Sequence, residues 1–159
     1  MSLSINYRRL YLAYGANSNL SNMSFRCPRA IPVGTYLLSG YEMVFQGVAN
    51  VRTRKKSKTR CVLWDITREC EQSLDRYEEY PRVYGKCYIR SRRYGRTLMF
   101  YALRFPLLRK YPAESYISCI AAGYKTFGIS ERQLVYALDR SYAGGQKNLT
   151  SVSQYDYKI

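Results

Sequence analysis

The chain contains no histidine. That excludes Ser-His-Asp and Cys-His catalysis and any imidazole-based metal site. Acidic residues are scarce, with Asp+Glu 11 against Lys+Arg 26, so a general base must come from a short list of carboxylates or from lysine or tyrosine. The five cysteines, Cys27, Cys61, Cys70, Cys87 and Cys119, are scattered and odd in number, with no Cys-x-x-Cys pair. They read as reduced, mostly buried thiols, neither a disulfide framework nor a zinc site. No apolar run reaches the roughly 18 residues a membrane helix needs, so no membrane partner is expected. Met1 to Arg9 has no apolar stretch of signal-peptide length, and a cytoplasmic location is the expectation. Nothing in the sequence asks for a metal or a cofactor.

What is present is basic and rich in tyrosine. The formal net charge is +15, which attracts anions such as phosphate, nucleic acid, an acidic protein or a charged small substrate. The 18 tyrosines suit half-buried sheet positions, and beside arginine they also suit base stacking. With 159 residues and 47% hydrophobic content, one globular domain over 1–159 is expected, its core about 10–142 and a polar tail from 143 to 159. Either a monomer or a homodimer is compatible with this.

Strands dominate the first two thirds of the chain and helices the end, which is an α+β arrangement. Leu10 to Tyr14 reads as a short buried strand stopped by Gly15. Asn19 caps a short helix ended by Pro28. Ile31–Val33, Thr35–Leu38, Tyr41–Phe45 and Val48–Val51 look extended, with a bulge or bend at Gly47. Residues 52–60 read as an exposed hairpin loop leading into a strand over Cys61–Ile66. Thr67 caps a helix that runs to about Tyr77 and is stopped by Pro81. Val83–Arg90 and Thr97–Phe105 form an antiparallel pair turning at Tyr94-Gly95-Arg96. A helix follows Pro112, and Ser130 with Gln133 suggests a capping box for a last one.

Two places carry chemistry. Gly15, Ala16 and Asn17 follow a strand directly, and their consecutive N–H groups suit an anion or a polarised carbonyl. Glu78 falls at a helix C-terminus among Tyr77, Tyr80 and Tyr84. The negative helix end and partial burial both raise a carboxyl pKa, the direction a general base needs. An idle turn and a solvated surface glutamate are the plain alternatives.

These segments resemble the gamma-glutamylcyclotransferase family, which includes the AIG2-like proteins. The resemblance runs through Tyr14-Gly15-Ala16-Asn17, Asn19-Leu20, Met23, Arg26-Cys27-Pro28, Gly34, Leu38-Ser39-Gly40-Tyr41 and Phe45. It continues through Leu63-Trp64-Asp65-Ile66 and Leu74-Asp75-Arg76-Tyr77-Glu78 to Pro112-Ala113-Glu114-Ser115-Tyr116, Ile120, Gly123-Tyr124 and Gly128. It implies a small mixed β-barrel with peripheral helices. It also implies an enzyme that cyclises a γ-glutamyl amine or peptide to 5-oxoproline, without metal or cofactor. By position, Glu78 would be the base. Tyr11, Leu12, Ala13, Tyr14, Gly15 and Ala16 would line the substrate pocket, Asn17 would brace the loop, and Tyr84 and Tyr116 would offer hydroxyls to substrate. Two residues depart from the pattern: Ala16 stands where serine is usual, and Glu79 where glycine follows the base.

The alternative is a basic nucleic-acid- or anion-binding protein on an inactive version of the same scaffold. Arg52 to Arg60 holds six basic residues in nine. Arg82, Lys86, Arg90, Arg92, Arg93 and Arg96 are interleaved with Tyr84, Tyr88 and Tyr94. The charge also fits an active enzyme whose positive rim steers an anionic γ-glutamyl substrate.

Overall fold

The computed structural model describes residues 7–105 and 111–141. The tail proposed for 143–159 lies outside them. One mixed sheet is built from β1 (Arg8–Ala13), β2 (Ile31–Phe45), β3 (Ala49–Thr67), β4 (Tyr84–Ser91) and β5 (Arg96–Leu103), in the order β2-β3-β1-β5-β4. A 3₁₀ turn over Ala16–Ser18 follows β1. The helices are α1 (Leu20–Arg26), α2 (Arg68–Tyr77), α3 (Glu114–Phe127) and α4 (Arg132–Asp139). Among the described residues no helix is long and apolar enough to cross a membrane.

β1 is the central strand and is buried along Leu10–Ala13, as expected of a strand covered on both faces. It pairs antiparallel with β3 and, over Leu10↔Leu98 and Tyr11↔Met99, parallel with β5. The expected barrel is not closed: no ladder joins edge strands β2 and β4. Side chains supply the nearest approach to closure. The tip of the β2–β3 hairpin curls toward the far end of the sheet, where the Leu103 N–H donates to Asn50 Oδ1 (2.9 Å) and the Tyr84 hydroxyl to the Ala49 carbonyl (2.7 Å). β2 takes this bend at the register shift between Ser39 and Tyr41, beside Gly40 at φ 82°.

That hairpin corrects the reading of the basic segment. The turn lies between β2 and β3, with Gly47 at φ 77°, where a bulge was expected. Residues 52–60 form no terminal loop but run within β3, with four residues extruded where Tyr41↔Thr53 gives way to Ser39↔Lys58. Charged residues carry no strand periodicity of their own, so this conformation is dictated by the partner strand.

Helix signals were mostly local and direct. Asn19 Oδ1 accepts from Asn22 N (3.1 Å) and Thr67 Oγ1 from Cys70 N (3.2 Å), satisfying first-turn donors. The capping box at Ser130 does not form. Gln133 instead accepts from Arg60 N and donates to the Arg60 carbonyl, fastening α4 to β3. α3 reaches the 3₁₀ turn so closely that a Cβ on Gly123 would lie 2.5 Å from the Ser18 carbonyl carbon. The five cysteines are free thiols.

Candidate active site

A cavity of about 240 Å³ opens where β1, the 3₁₀ turn, the hairpin tip, the end of α2 and the start of α3 converge. Tyr11, Tyr14, Gly15, Ala16, Asn17, Glu78, Tyr84 and Tyr116 all line it. Leu12 and Ala13, expected there, do not. Side-chain alternation turns Leu12 to the opposite face of β1, and both residues are buried in the core. Tyr80 is also off the wall: its ring lies beside Lys86 and Tyr101 and is partly exposed.

Glu78 is held by the way α2 ends. It caps the helix at φ −83° and ψ 0°, donating its N–H to Leu74 O. Glu79 N bonds Arg76 O and Tyr80 N bonds Asp75 O, the paired bonds of a Schellman motif. The motif requires a left-handed residue after the cap, and Glu79 takes that place at φ 50°. The turn that a glycine would form more easily is therefore kept. Glu79 also lines the cavity and pairs with Arg82.

The carboxyl of Glu78 accepts from Asn17 Nδ2 (3.2 Å). The same amide nitrogen donates to the Tyr11 hydroxyl (3.1 Å), and Asn17 Oδ1 accepts from Arg26 Nη1 (2.6 Å). Trp64 Nε1 bonds the Asn17 carbonyl (3.1 Å), so backbone and side chain of this residue are both fixed. Arg26 lies over the Tyr77 ring, 3.4 Å from its centroid. Arg26 thus reaches Glu78 only through a neutral amide. Burial raises the Glu78 pKa to about 7, with Arg26 opposing the rise. Burial pushes Tyr11, Tyr14, Tyr84 and Tyr116 upward as well, leaving them neutral at pH 7. The wall therefore consists of neutral hydroxyls around a carboxyl that titrates near neutrality.

The loop has little slack. A Cβ on Gly15 would meet Ala49 Cβ at 3.0 Å, so close approach, not positive φ (it sits at −106°), is what glycine provides here. Gly15 to Asn17 enter the 3₁₀ turn, whose first N–H groups have no partner inside it. Tyr116 accepts from Ala49 N (3.0 Å) and retains its own proton to donate, whereas the Tyr84 proton is committed to Ala49 O.

Tyr77, expected beside Glu78, is in the lining; Tyr101, Val48, Ala49 and Val83 complete it and were not anticipated. Tyr101 stands two residues beyond Met99, the β5 partner of Tyr11, and packs edge-on against the Tyr11 ring (5.8 Å between centroids); like the others it arrives through nonlocal packing. Among the described residues no cluster of acidic or cysteine side chains could hold a metal ion. Of the basic interleaved stretch, Lys86 is taken inward: its ammonium contacts Glu71 (2.9 Å) and Asp75 (2.9 Å) behind the cavity.

No protein-family model and no curated protein sequence matches the chain. Solved structures do. One described as gamma-glutamyl cyclotransferase superposes with a TM-score of 0.68 at 20% identity, covering 91% of this chain and 92% of its own. An uncharacterized protein from Homo sapiens gives the same values. YkqA from Bacillus subtilis gives 0.67 at 19% identity, covering 88% of this chain and 56% of YkqA. In architecture, then, the chain is an α+β protein with the gamma-glutamylcyclotransferase-like fold.

Proposed function

We propose that this cavity cyclises a γ-glutamyl amine or peptide to 5-oxoproline and releases the amine. The observation that carries the reading is Glu78, whose carboxyl has a pKa near 7 and shares one cavity with the Gly15–Asn17 turn. The likeness in fold to a gamma-glutamyl cyclotransferase supports the same reading.

The Glu78 carboxylate takes a proton from the substrate α-ammonium. The freed nitrogen attacks the γ-carbonyl carbon of the same molecule, forming the ring C–N bond and a tetrahedral oxyanion. N–H groups at the start of the 3₁₀ turn stabilise that oxyanion. The bond to the departing amine then breaks as Glu78 returns the proton to it; the ring nitrogen sheds its second proton to the same carboxylate, which passes it to the released amine as an ammonium. Raising the base from 4.5 to about 7 narrows its mismatch with an ammonium by about 3 kcal/mol. Nucleophile and electrophile belong to one molecule, so the cavity has only to hold the folded conformer. Asn17 steers the carboxyl and Tyr116 offers a donor; Ala16 contributes its backbone alone. Positive charge elsewhere on the surface draws an anionic substrate toward the site.

The test is 5-oxoproline release from a panel of γ-glutamyl amino acids, glutathione and γ-glutamyl-lysine. Turnover of at least one, lost in Glu78→Gln, is the expected result. No product from any of them, or full turnover in the variant, overturns the reading.

A further inference from the structure

A second concavity lies between the extruded part of β3 and α4, and shares no lining residue with the first. We propose that it binds single-stranded nucleic acid, with phosphates on a lysine wall and a base stacked on Tyr136. The cleft has a volume of about 690 Å³ and is lined by Arg54, Lys55, Lys56, Lys58, Arg132 and Arg140, with Glu42 the only carboxylate.

The charge there is not spent internally. Glu42 serves Arg52 (2.6 Å), Arg54 (2.8 Å) and Arg140 (3.6 Å). Lys55, Lys56, Lys58 and Arg132 are exposed and form no ion pair among the described residues. Four like charges converging on a concave wall repel one another, and an anion relieves that cost. On α4, Arg132, Tyr136 and Arg140 follow at four-residue intervals and share one face. Tyr136 is 59% exposed, a large ring left in water on the helix face it shares with Arg132 and Arg140. A cationic wall facing an exposed aromatic suits a strand whose bases are free to stack, better than a bare phosphate or a closed duplex.

Hydrogen bonds tie α4 to β2 and β3, the elements that frame the cleft. Gln133 is hydrogen-bonded to both backbone groups of Arg60, and Arg140 Nη2 donates to the Met43 carbonyl (2.8 Å). The sequence pointed to Arg52–Arg60 and to Arg82–Arg96; only part of the first stretch, joined by α4, forms this cleft.

Fluorescence anisotropy of the full chain with labelled 12-mer oligo(U) and oligo(dT), across a salt series, tests the proposal. The logarithm of affinity should fall linearly with the logarithm of salt, with a slope of about −3 for four phosphate contacts. Replacing Lys55, Lys56, Lys58 and Arg132 with serine should remove most of that slope. Tyr136→Ala should weaken binding about tenfold with the slope unchanged, and Tyr136→Phe should restore it. Three results overturn the proposal: inorganic polyphosphate binding as tightly as the oligonucleotides with Tyr136→Ala silent; a duplex of the same length binding more tightly; or binding retained in the fourfold variant but lost when Arg90, Arg92, Arg93 and Arg96 are replaced. Matching thermal unfolding of each variant separates lost binding from lost folding.

Discussion

Each concavity contains one carboxylate withdrawn from solvent, and the two are pushed in opposite directions. Glu42, 4% exposed, would be raised by burial, but hydrogen bonds from Arg54 and Arg52 hold its pKa below the ordinary value. Glu78 is raised to about 7 by burial, because its nearest cation stands behind an amide. Burial is common to both; the number of guanidiniums in direct contact decides the sign. A carboxylate saturated with arginine is fixed in charge and serves the scaffold. One supported by a neutral donor keeps a proton equilibrium it can use.

The comparison breaks first at Glu78. If it is the base of the proposed reaction, Glu78→Gln keeps the shape and the Asn17 contact but cannot accept a proton. The expected loss in kcat is on the order of 10³-fold, read from 5-oxoproline release. For the ionised form to be the active one, kcat/KM must rise with pH through about 7 and level off above it. A flat profile between pH 5 and 8 would remove Glu78 from the chemistry.

The next test concerns construction. The cavity is assembled from seven elements that meet at close quarters, whereas the cleft is a bulge beside a helix. Gly123→Ala drives a methyl into the Ser18 backbone and should cost about 3 kcal/mol by denaturant unfolding. An exposed cleft position such as Lys55→Ser should stay within about 0.5 kcal/mol. Equal costs would mean that α3 shifts freely and that the 3₁₀ turn is not held as described.

How much of this was legible can be judged residue by residue. Asn19 and Thr67 announced themselves through capping chemistry and the end of α2 through Pro81, signals that are local. Glu78 and the Gly15 turn were found from residue types and a family resemblance, though residue types alone did not separate a base from a surface glutamate. The hairpin was misread because the path of residues 52–60 is set by pairing with β2 and by Glu42, ten or more residues away. Gln133 looked like half of a capping box until the Arg60 backbone proved the better partner. Tyr101 and Val48 reach the cavity through register and curvature, neither of which has a signature inside a short window.

Stability against pH sharpens the contrast between the two carboxylates. Glu42 has a lowered folded pKa, so its contribution is present above about 4.5 and is lost as pH falls through the folded value. Glu42→Gln should therefore destabilise by about 2 kcal/mol at pH 7, leaving three guanidiniums uncompensated, with the difference shrinking in acid. Glu78 has the opposite sign. Its neutral form is favoured in the fold, so the protein loses stability as pH rises from about 4.5 to about 7. Glu78→Gln should thus be more stable than the parent by about 3 kcal/mol at pH 8 and equal to it near pH 4. Parallel behaviour of the two variants would contradict the opposed shifts.

The smallest effect tests the one strain the regions share. Among the described residues, Glu79 beside the cavity (φ 50°) and Lys56 in the cleft (φ 66°) are the non-glycine residues with left-handed backbone. An L side chain there costs about 1 kcal/mol; glycine removes that strain, and its larger unfolded-state entropy cancels about half of the gain. Glu79→Gly and Lys56→Gly should each stabilise by about 0.5 kcal/mol. The Glu79–Arg82 pair is exposed on both sides and its loss subtracts little. Glu79 is locked by two backbone bonds of the Schellman turn, whereas Lys56 lies in an extruded segment where the chain can relax. The gain should accordingly be larger at Glu79, and chemical denaturation of the two single variants against the parent measures it. A loss at Glu79 would mean that its carboxylate, set in the cavity wall one residue from Glu78, stabilises the turn by more than its backbone strains it.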